Sequence, residues 1–133
     1  MVYIKKMPNN CKFEPMKRLL LIPLVLFLSC EKLEITSQVA VQLLYDKNYI
    51  FLDVRTESEH QAKAIPNTTC IPVQELTNRL NEIEKFKDKN IIVYCRSGNR
   101  SKTATKILIE NDFKALNLIG GIKEWNGPIA SEN

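Results

Sequence analysis

The sequence predicts an α/β domain with a mainly parallel sheet. Two short runs, residues 49–54 and 91–94, are apolar almost throughout, which is typical of strands buried on both faces of a parallel sheet. Segments whose apolar residues recur at helical spacing lie before, between and after these runs. Strands that alternate with helices in this way indicate a parallel sheet packed against helices.

The remaining elements follow from local patterns. Ser37 is a suitable N-cap for a first helix, in which Val39, Leu43 and Leu44 share one face. Further along the chain we expect a short helix near Ser58, an extended piece at 71–72, a helix at 73–86, a helix at 101–111 with Ala104, Ile107 and Leu108 inward, and a last strand at 116–119 before a glycine turn at 120–121.

Net charge does not predict a nucleic-acid partner. The formal charge of the 133-residue chain is +4, but residues 1–29 hold five of its 19 basic side chains and only one of its 15 acidic ones. Fourteen side chains of each sign remain from residue 30 onward, so the folded part is neutral. Nucleic-acid-binding domains instead concentrate basic side chains on one surface.

The beginning of the chain is interpreted as a secretory signal peptide. A positively charged start at 16–18 precedes an apolar run at 19–28, after which Ser29 and Cys30 follow. Ten apolar residues, interrupted by Pro23, are too few for a transmembrane helix, which needs about 18. A buried core helix is the alternative for this run.

Residues 27–30 resemble the lipobox of bacterial lipoproteins, with Phe27 in place of the usual leucine. The resemblance implies that Cys30 is lipidated and anchors the protein to a bacterial membrane on the periplasmic side. If the signal peptide is absent, the domain is expected in the cytosol with the same chemistry. The expected division is a signal peptide at 1–29, of which 1–15 are an over-extended start, a lipidated tether at 30–35 and a domain at 36–130.

The residues directly after the second buried strand form the predicted active-site loop. Ligands of parallel sheets bind beyond the carboxyl ends of the strands, where Cys95 stands. The following backbone amides can converge on one point, with Gly98 allowing the turn, and such a cradle binds anions. The dipole of the next helix and two arginines favour the thiolate, so we expect a lowered pKa for Cys95. The candidate site is Cys95 as nucleophile with Arg96, Ser97, Gly98, Asn99, Arg100 and Ser101 binding substrate.

A small structural cysteine buried at a strand end is the alternative for Cys95, since free cysteines are often buried. The two arginines, the glycine and the serines that follow it at a helix start favour the reactive thiolate.

The loop resembles the active-site loop of single-domain rhodanese-type sulfurtransferases. Residues 52–55 with Glu59 are similar to the first signature of that family, and two isoleucine-proline pairs fall at its next landmarks. The closing signature is matched by residues 120–122 with Trp125, so the resemblance covers about residues 36–130. It implies a three-layer fold, with a mainly parallel five-stranded sheet and helices on both faces.

The same resemblance implies a reaction. Cys95 takes a sulfane sulfur from a small anionic donor such as thiosulfate, becomes a persulfide and passes the sulfur to a thiol or a cyanide-like acceptor. The loop amides and Arg100 are expected to hold the anionic group. Neither a cofactor nor a metal is implied, and the oligomeric state is open.

The chain also departs from the family pattern. Residues 63–68 read Lys-Ala-Ile-Pro-Asn-Thr where the family usually has Gly-His-Ile-Pro-Gly-Ala, and Cys70 replaces a common asparagine. The local turn and part of the site wall are therefore expected to differ.

Asp53 and Arg55 end the first buried strand and are interpreted as structural residues. Arg55 is expected to pair with Glu59 and so to fix the first loop, and a direct role of Asp53 or Arg55 in substrate binding is the alternative.

The sequence allows two alternative functions. Phosphatases and arsenate reductases with a related loop have five residues between cysteine and arginine, whereas Cys95 and Arg100 enclose four, too few for a tetrahedral phosphate. Non-catalytic binding modules of the family commonly lack the cysteine, which this chain keeps.

Cys70 and His60 can each be interpreted without a role in catalysis. Cys70 either resolves an oxidised or persulfidated Cys95 or is a core cysteine near a strand, and the second is favoured. His60, the only histidine, is expected as a surface or half-buried ring on the short helix after Arg55. Neither a zinc site nor a cysteine-histidine catalytic pair is predicted.

Overall fold

The sheet organises the molecule. The protein is described by a computed structural model that covers residues 33–131. Its strands are β1 Glu34–Ile35, β2 Tyr49–Asp53, β3 Thr69–Cys70, β4 Asn90–Tyr94 and β5 Lys114–Leu118. They form one sheet in the order β1-β5-β4-β2-β3, and every pairing is parallel. The expected mainly parallel, five-stranded sheet is confirmed.

Three α-helices connect the strands. They are α1 Ser37–Gln42, α2 Glu57–Ala62 and α3 Asn99–Glu110. A capping box begins α2, because the Thr56 hydroxyl accepts from the Glu59 amide while the Glu59 carboxylate accepts from the Thr56 amide. Within residues 33–131, no helix is long and apolar enough to cross a membrane. The predicted signal segment and residues 30–32 of the predicted tether, including Cys30, lie outside the described residues. Residues 34–35, also expected in the tether, form β1 of the sheet instead.

The two faces of the sheet carry separate hydrophobic cores, because successive strand side chains point to opposite faces. The core on the α3 side includes Leu52, Ile91, Val93, Ala104 and Leu108, all fully buried. The core on the α1 side includes Ala40, Phe51, Ile92, Tyr94 and Trp125. Helices therefore lie on both faces, as expected.

The helix expected at 73–86 is absent, and this prediction was wrong. Three short 3₁₀ turns, Leu76–Asn78, Leu80–Glu82 and Glu84–Phe86, replace it. Their hydrogen bonds span three residues, as in Ile83 N to Leu80 O and Phe86 N to Ile83 O. Residues three apart lie on the same side of a 3₁₀ helix, so this winding suits a sequence whose apolar residues recur at 80, 83 and 86.

The first helix also differs from its prediction. Its N-cap is Thr36, and Ser37 is the first helical residue. The inward face is carried by fully buried Ala40 and by Leu44 beyond the helix, whereas Val39 is half exposed. The helix is only six residues long, so Leu43 and Leu44 follow it in a turn and the helical face expected through Val39 does not extend to them.

Candidate active site

The loop after β4 places Cys95 at the carboxyl edge of the sheet, where the sequence predicted it. The side chain is buried, and its sulfur accepts a hydrogen bond of 3.1 Å from the Gly98 amide. Gly98 has a φ of 101°, in the left-handed region that glycine tolerates best. The chain thereby folds back over the sulfur and enters α3, whose N-terminus faces Cys95.

These contacts act on the protonation of Cys95. Burial alone would raise the pKa of its thiol. The Ser101 hydroxyl, 3.4 Å from the sulfur, and the backbone amides of Ser101, Gly98 and Ser97 outweigh that effect, so the pKa of Cys95 lies below its usual value. This direction is the one expected from the sequence.

The loop after β5 holds the backbone of the active-site loop in place. Ile122 N donates to the carbonyl of Cys95 at 2.9 Å, and Lys123 N donates to the carbonyl of Arg96 at 3.0 Å. Gly121 makes this approach possible, because a β-carbon there would lie 2.7 Å from the carbonyl carbon of Arg96 and nearer still to the carbonyl oxygen of Cys95. The glycine pair was predicted only as a turn, and its contact with the loop was missed.

The expected role of Arg100 in holding the substrate anion stays a prediction, but the expected partner of Glu59 was wrong. Arg55 was expected to pair with Glu59. Instead Arg100 donates to both Glu59 oxygens at 2.8 Å each. Glu59 therefore bridges the capping box of α2 to the active-site loop, and Arg100 lowers the pKa of Glu59 to about 2. Two donors of one planar guanidinium match one carboxylate, which is the geometry of a strong charge-assisted pair.

Arg55 pairs with Asp53, two residues earlier. Its Nε and Nη2 donate to the Asp53 carboxylate at 2.6 to 3.1 Å, and Nη2 also donates to the carbonyl of Lys63 at 2.7 Å. Both side chains are buried. The distance along the chain explains the outcome, because an arginine at a strand end reaches the carboxylate beside it without crossing to α2. The loop after β2 is thus held to the segment at 63–68.

Asp53, His60 and Cys70 offer ligand atoms that all lie within 4.8 Å of one another. His60 Nδ1 is 2.9 Å from Asp53 Oδ2, and the ring is half-buried as expected. Both Asp53 oxygens, however, already accept hydrogen bonds from Arg55. A metal ion would have to compete with this guanidinium for the carboxylate, so the cluster does not fit a metal as it stands.

Cys70 and Cys95 differ in chemistry. Both are free thiols. The sulfur of Cys70 donates to the carbonyl of Arg55 at 3.6 Å, and burial followed by the charges of Asp53 and Glu57 raises its pKa to about 12. Cys70 is thus a protonated thiol at the end of β3, whereas the Cys95 sulfur lies among hydrogen-bond donors.

An open pocket of about 410 Å³ lies beside the loop. Its lining contains four cationic side chains and one acidic one, and the residues are Arg55, Glu59, Ala62, Lys63, Arg96, Ile122 and Lys123. Lys63 belongs to the segment that departs from the family pattern. A larger pocket of about 600 Å³ involves Leu33, Ile109 and Phe113 and lies toward the opposite edge of the sheet, away from Cys95.

Ser97 on the same loop and Asn99 at the start of α3, both predicted to bind substrate, are exposed. Ser101 is fully buried behind the sulfur. Ser101 contacts Asn117 of β5, which sequence reasoning missed. The available signal was an asparagine within the otherwise apolar stretch at 115–119, since a polar residue in a buried strand needs a hydrogen-bond partner.

Comparisons with known proteins agree with this architecture. The family model for the rhodanese-like domain matches residues 36–128. A protein of Allochromatium vinosum named sulfurtransferase is 36% identical over 94 residues, which are 69% of this chain and 86% of that protein.

Two solved structures are similar as well. A rhodanese-related protein of Thermoplasma volcanium has 30% identity and a TM-score of 0.67, over 73% of this chain and 96% of that one. A rhodanese-like domain protein of Staphylococcus aureus has 28% identity and a TM-score of 0.66, over 75% of this chain and 98% of that one. With the loop and fold described above, these matches show that the chain belongs to the rhodanese-like domain family and is of the sulfurtransferase kind.

Proposed function

We propose that this protein transfers sulfane sulfur through a persulfide on Cys95. The Cys95 thiolate attacks the outer sulfur of thiosulfate, the sulfur-sulfur bond of the donor breaks, and sulfite leaves with the bonding electrons. A nucleophilic acceptor such as cyanide or a thiolate then attacks the outer persulfide sulfur, and Cys95 leaves as the thiolate. No external oxidant or reductant is needed, because every step is a heterolytic exchange at sulfur.

The environment of the Cys95 sulfur carries the proposal. A nucleophilic cysteine has to be a thiolate. The Cys95 sulfur accepts a hydrogen bond from the Gly98 amide and faces the N-terminus of α3, and both favour the negative charge. The same donors suit the leaving step, because they stabilise the charge that returns to the sulfur.

The pocket supports an anionic donor. Lys63, Arg96 and Lys123 line it, and none of these three has an ion-pair partner among residues 33–131. Cationic walls on an open cleft raise the local concentration of an anion such as thiosulfate. Residues 30–133 carry fourteen basic and fourteen acidic side chains, so this attraction is local to the site.

Phosphoryl chemistry is less well supported. Such enzymes need an arginine free to clamp the transferred group, whereas Arg100 is occupied by both oxygens of Glu59. A pure binding module would not require a thiol with a lowered pKa at the centre of its loop.

The test uses the full-length chain with thiosulfate and cyanide, and follows thiocyanate formation beside intact mass. We expect turnover, and a mass gain of one sulfur atom after thiosulfate alone, with both lost in Cys95→Ser. Cys70→Ser is the matched control and should keep both. A folded protein without turnover or mass gain would instead support the binding module.

Localisation is a separate proposal. The lipobox-like sequence at 27–30 supports lipidation of Cys30 and attachment to the outer side of a bacterial cell membrane or the periplasmic side of an outer membrane. In bacterial cells the protein should partition with membranes and be released in Cys30→Ser. An unchanged distribution of this variant would contradict the anchor.

A further inference from the structure

Ser101 has one hydroxyl proton and two neighbours that can accept it. Its Oγ lies 2.6 Å from Oδ1 of Asn117 and 3.4 Å from Sγ of Cys95. A serine hydroxyl donates a single hydrogen bond, so it cannot serve both acceptors at once. The Ser101 proton therefore goes to one acceptor or to the other.

The Asn117 side chain is buried in the sheet next to Ser101. It lies in β5, in register with Val93 of the neighbouring strand β4, and is 4% exposed. Burying a side-chain amide is costly without a hydrogen bond. Within residues 33–131, Ser101 is the only residue that hydrogen-bonds the Asn117 side chain.

We propose that Asn117 is a positioning residue that acts on Cys95 through the Ser101 hydroxyl. When Cys95 is a thiol, Ser101 donates to the Asn117 carbonyl oxygen. When Cys95 is a thiolate, the Asn117 amide turns over, its NH₂ group donates to Ser101 Oγ, and Ser101 donates to the sulfur. The inference deepens the proposed function, since it takes Cys95 as the reacting group.

The exchange costs little, because a side-chain amide presents an acceptor and a donor of nearly equal size at the two positions. Hydrogen bonds to a charged acceptor are roughly twice as strong as those between neutral groups. In a chain of donors each bond also polarises the next. The Asn117-Ser101 pair therefore favours the thiolate over the thiol, in addition to the backbone amides of the loop.

The test measures the rate at which iodoacetamide alkylates Cys95 as a function of pH in the full-length chain, with Cys95 identified by peptide mass. In Asn117→Asp the ionised side chain only accepts, so the Ser101 proton stays away from the sulfur. We expect the midpoint of the alkylation rate against pH to be about one pH unit higher in Asn117→Asp than in wild type. At a pH below both midpoints, alkylation of the variant should then be about tenfold slower. Asn117→Leu should move the midpoint less, in the same direction.

Two comparisons separate positioning from packing. Thr105→Val removes another buried hydroxyl of α3, which donates to the Ser101 carbonyl and not to its Oγ, and should leave the midpoint unchanged. In a Ser101→Ala background, Asn117→Leu should cause no further shift. A shift that persists undiminished without Ser101, or no shift in either Asn117 variant, overturns the proposal.

The unmodified chain gives a second measurement if the variants do not fold. The side-chain amide NMR signals of Asn117 should change with the same midpoint as the alkylation of Cys95, and signals that stay constant overturn the proposal. Alkylation does not require sulfur transfer. An inactive protein with the expected midpoints would therefore contradict the proposed function while leaving this inference intact.

Discussion

Arg100 and Glu59 hold each other through two hydrogen bonds of 2.8 Å, between both terminal guanidinium nitrogens and both carboxylate oxygens. The pair joins the start of α3 to the first turn of α2. Glu59 is in turn fixed by the Thr56 amide. The position of Arg100 beside Cys95 therefore depends on a helix cap that is separate in sequence from the loop.

Glu59→Gln should weaken this connection. Each side chain of the pair is about one-third exposed, 33% for Arg100 and 32% for Glu59, so we expect a loss of about 1 kcal/mol in the free energy of unfolding. Sulfur transfer should fall several-fold, since Arg100 loses its fixed position. Urea unfolding and the thiocyanate assay measure the two effects. Glu82→Gln removes a carboxylate from Arg79 at an exposed site and should leave activity unchanged.

The same pair makes stability dependent on acid. Arg100 first, and the Thr56 hydrogen bonds after it, hold the pKa of Glu59 at about 2 rather than 4.5. As the pH falls, Glu59 therefore becomes protonated in the unfolded chain at a higher pH than in the folded one. This contribution is complete above pH 4.5 and is lost as the pH falls towards 2. Wild type should accordingly lose its advantage over Glu59→Gln between those values in urea unfolding, and a constant difference would contradict the assignment.

Gly121→Ala should disturb the loop directly. Gly121 has a φ of 58°, and an added methyl group meets the backbone of Cys95 and Arg96, which cannot move aside like a side chain. We expect a loss of about 2 kcal/mol or more in stability and a slower alkylation of Cys95 in the folded fraction. Gly127→Ala is the control, because the three atoms nearest to its methyl group belong to the side chains of Trp125 and Val41 and not to the active-site loop. It should lower stability without changing alkylation.

The sheet and the nucleophile could be predicted from sequence because their signals are local. The apolar runs that became β2 and β4 are continuous, and the loop after β4 combines its cysteine, glycine and arginines within six residues. Local pattern was misleading at 73–86, where apolar spacing permits both an α-helix and 3₁₀ turns. The choice there depends on packing against the sheet.

Side-chain partners were harder to predict than positions. Glu59 was available to Arg55 and to Arg100, and sequence separation favoured the wrong one. The true arrangement follows from the way parallel strands bring the ends of β2 and β4 to the same edge, with Asp53 opposite Tyr94. Asn117 was missed for the same reason, because its partner Ser101 is on a different element and only the fold brings the two together.

The cationic pocket should determine the affinity for an anionic donor. Arg96→Ala and Lys123→Ala each remove one positive charge from its wall, and neither side chain forms an ion pair within residues 33–131. We expect a several-fold higher KM for thiosulfate with little change in kcat, because attraction of the donor precedes the reaction at sulfur. Lys102→Ala, on the exposed side of α3 near Glu34, is the matched control and should keep the wild-type KM. Added salt should reduce the difference between each pocket variant and wild type, because screening weakens attraction between exposed charges. If Arg96→Ala and Lys123→Ala keep the KM of wild type, as Lys102→Ala should, the donor does not enter through this pocket.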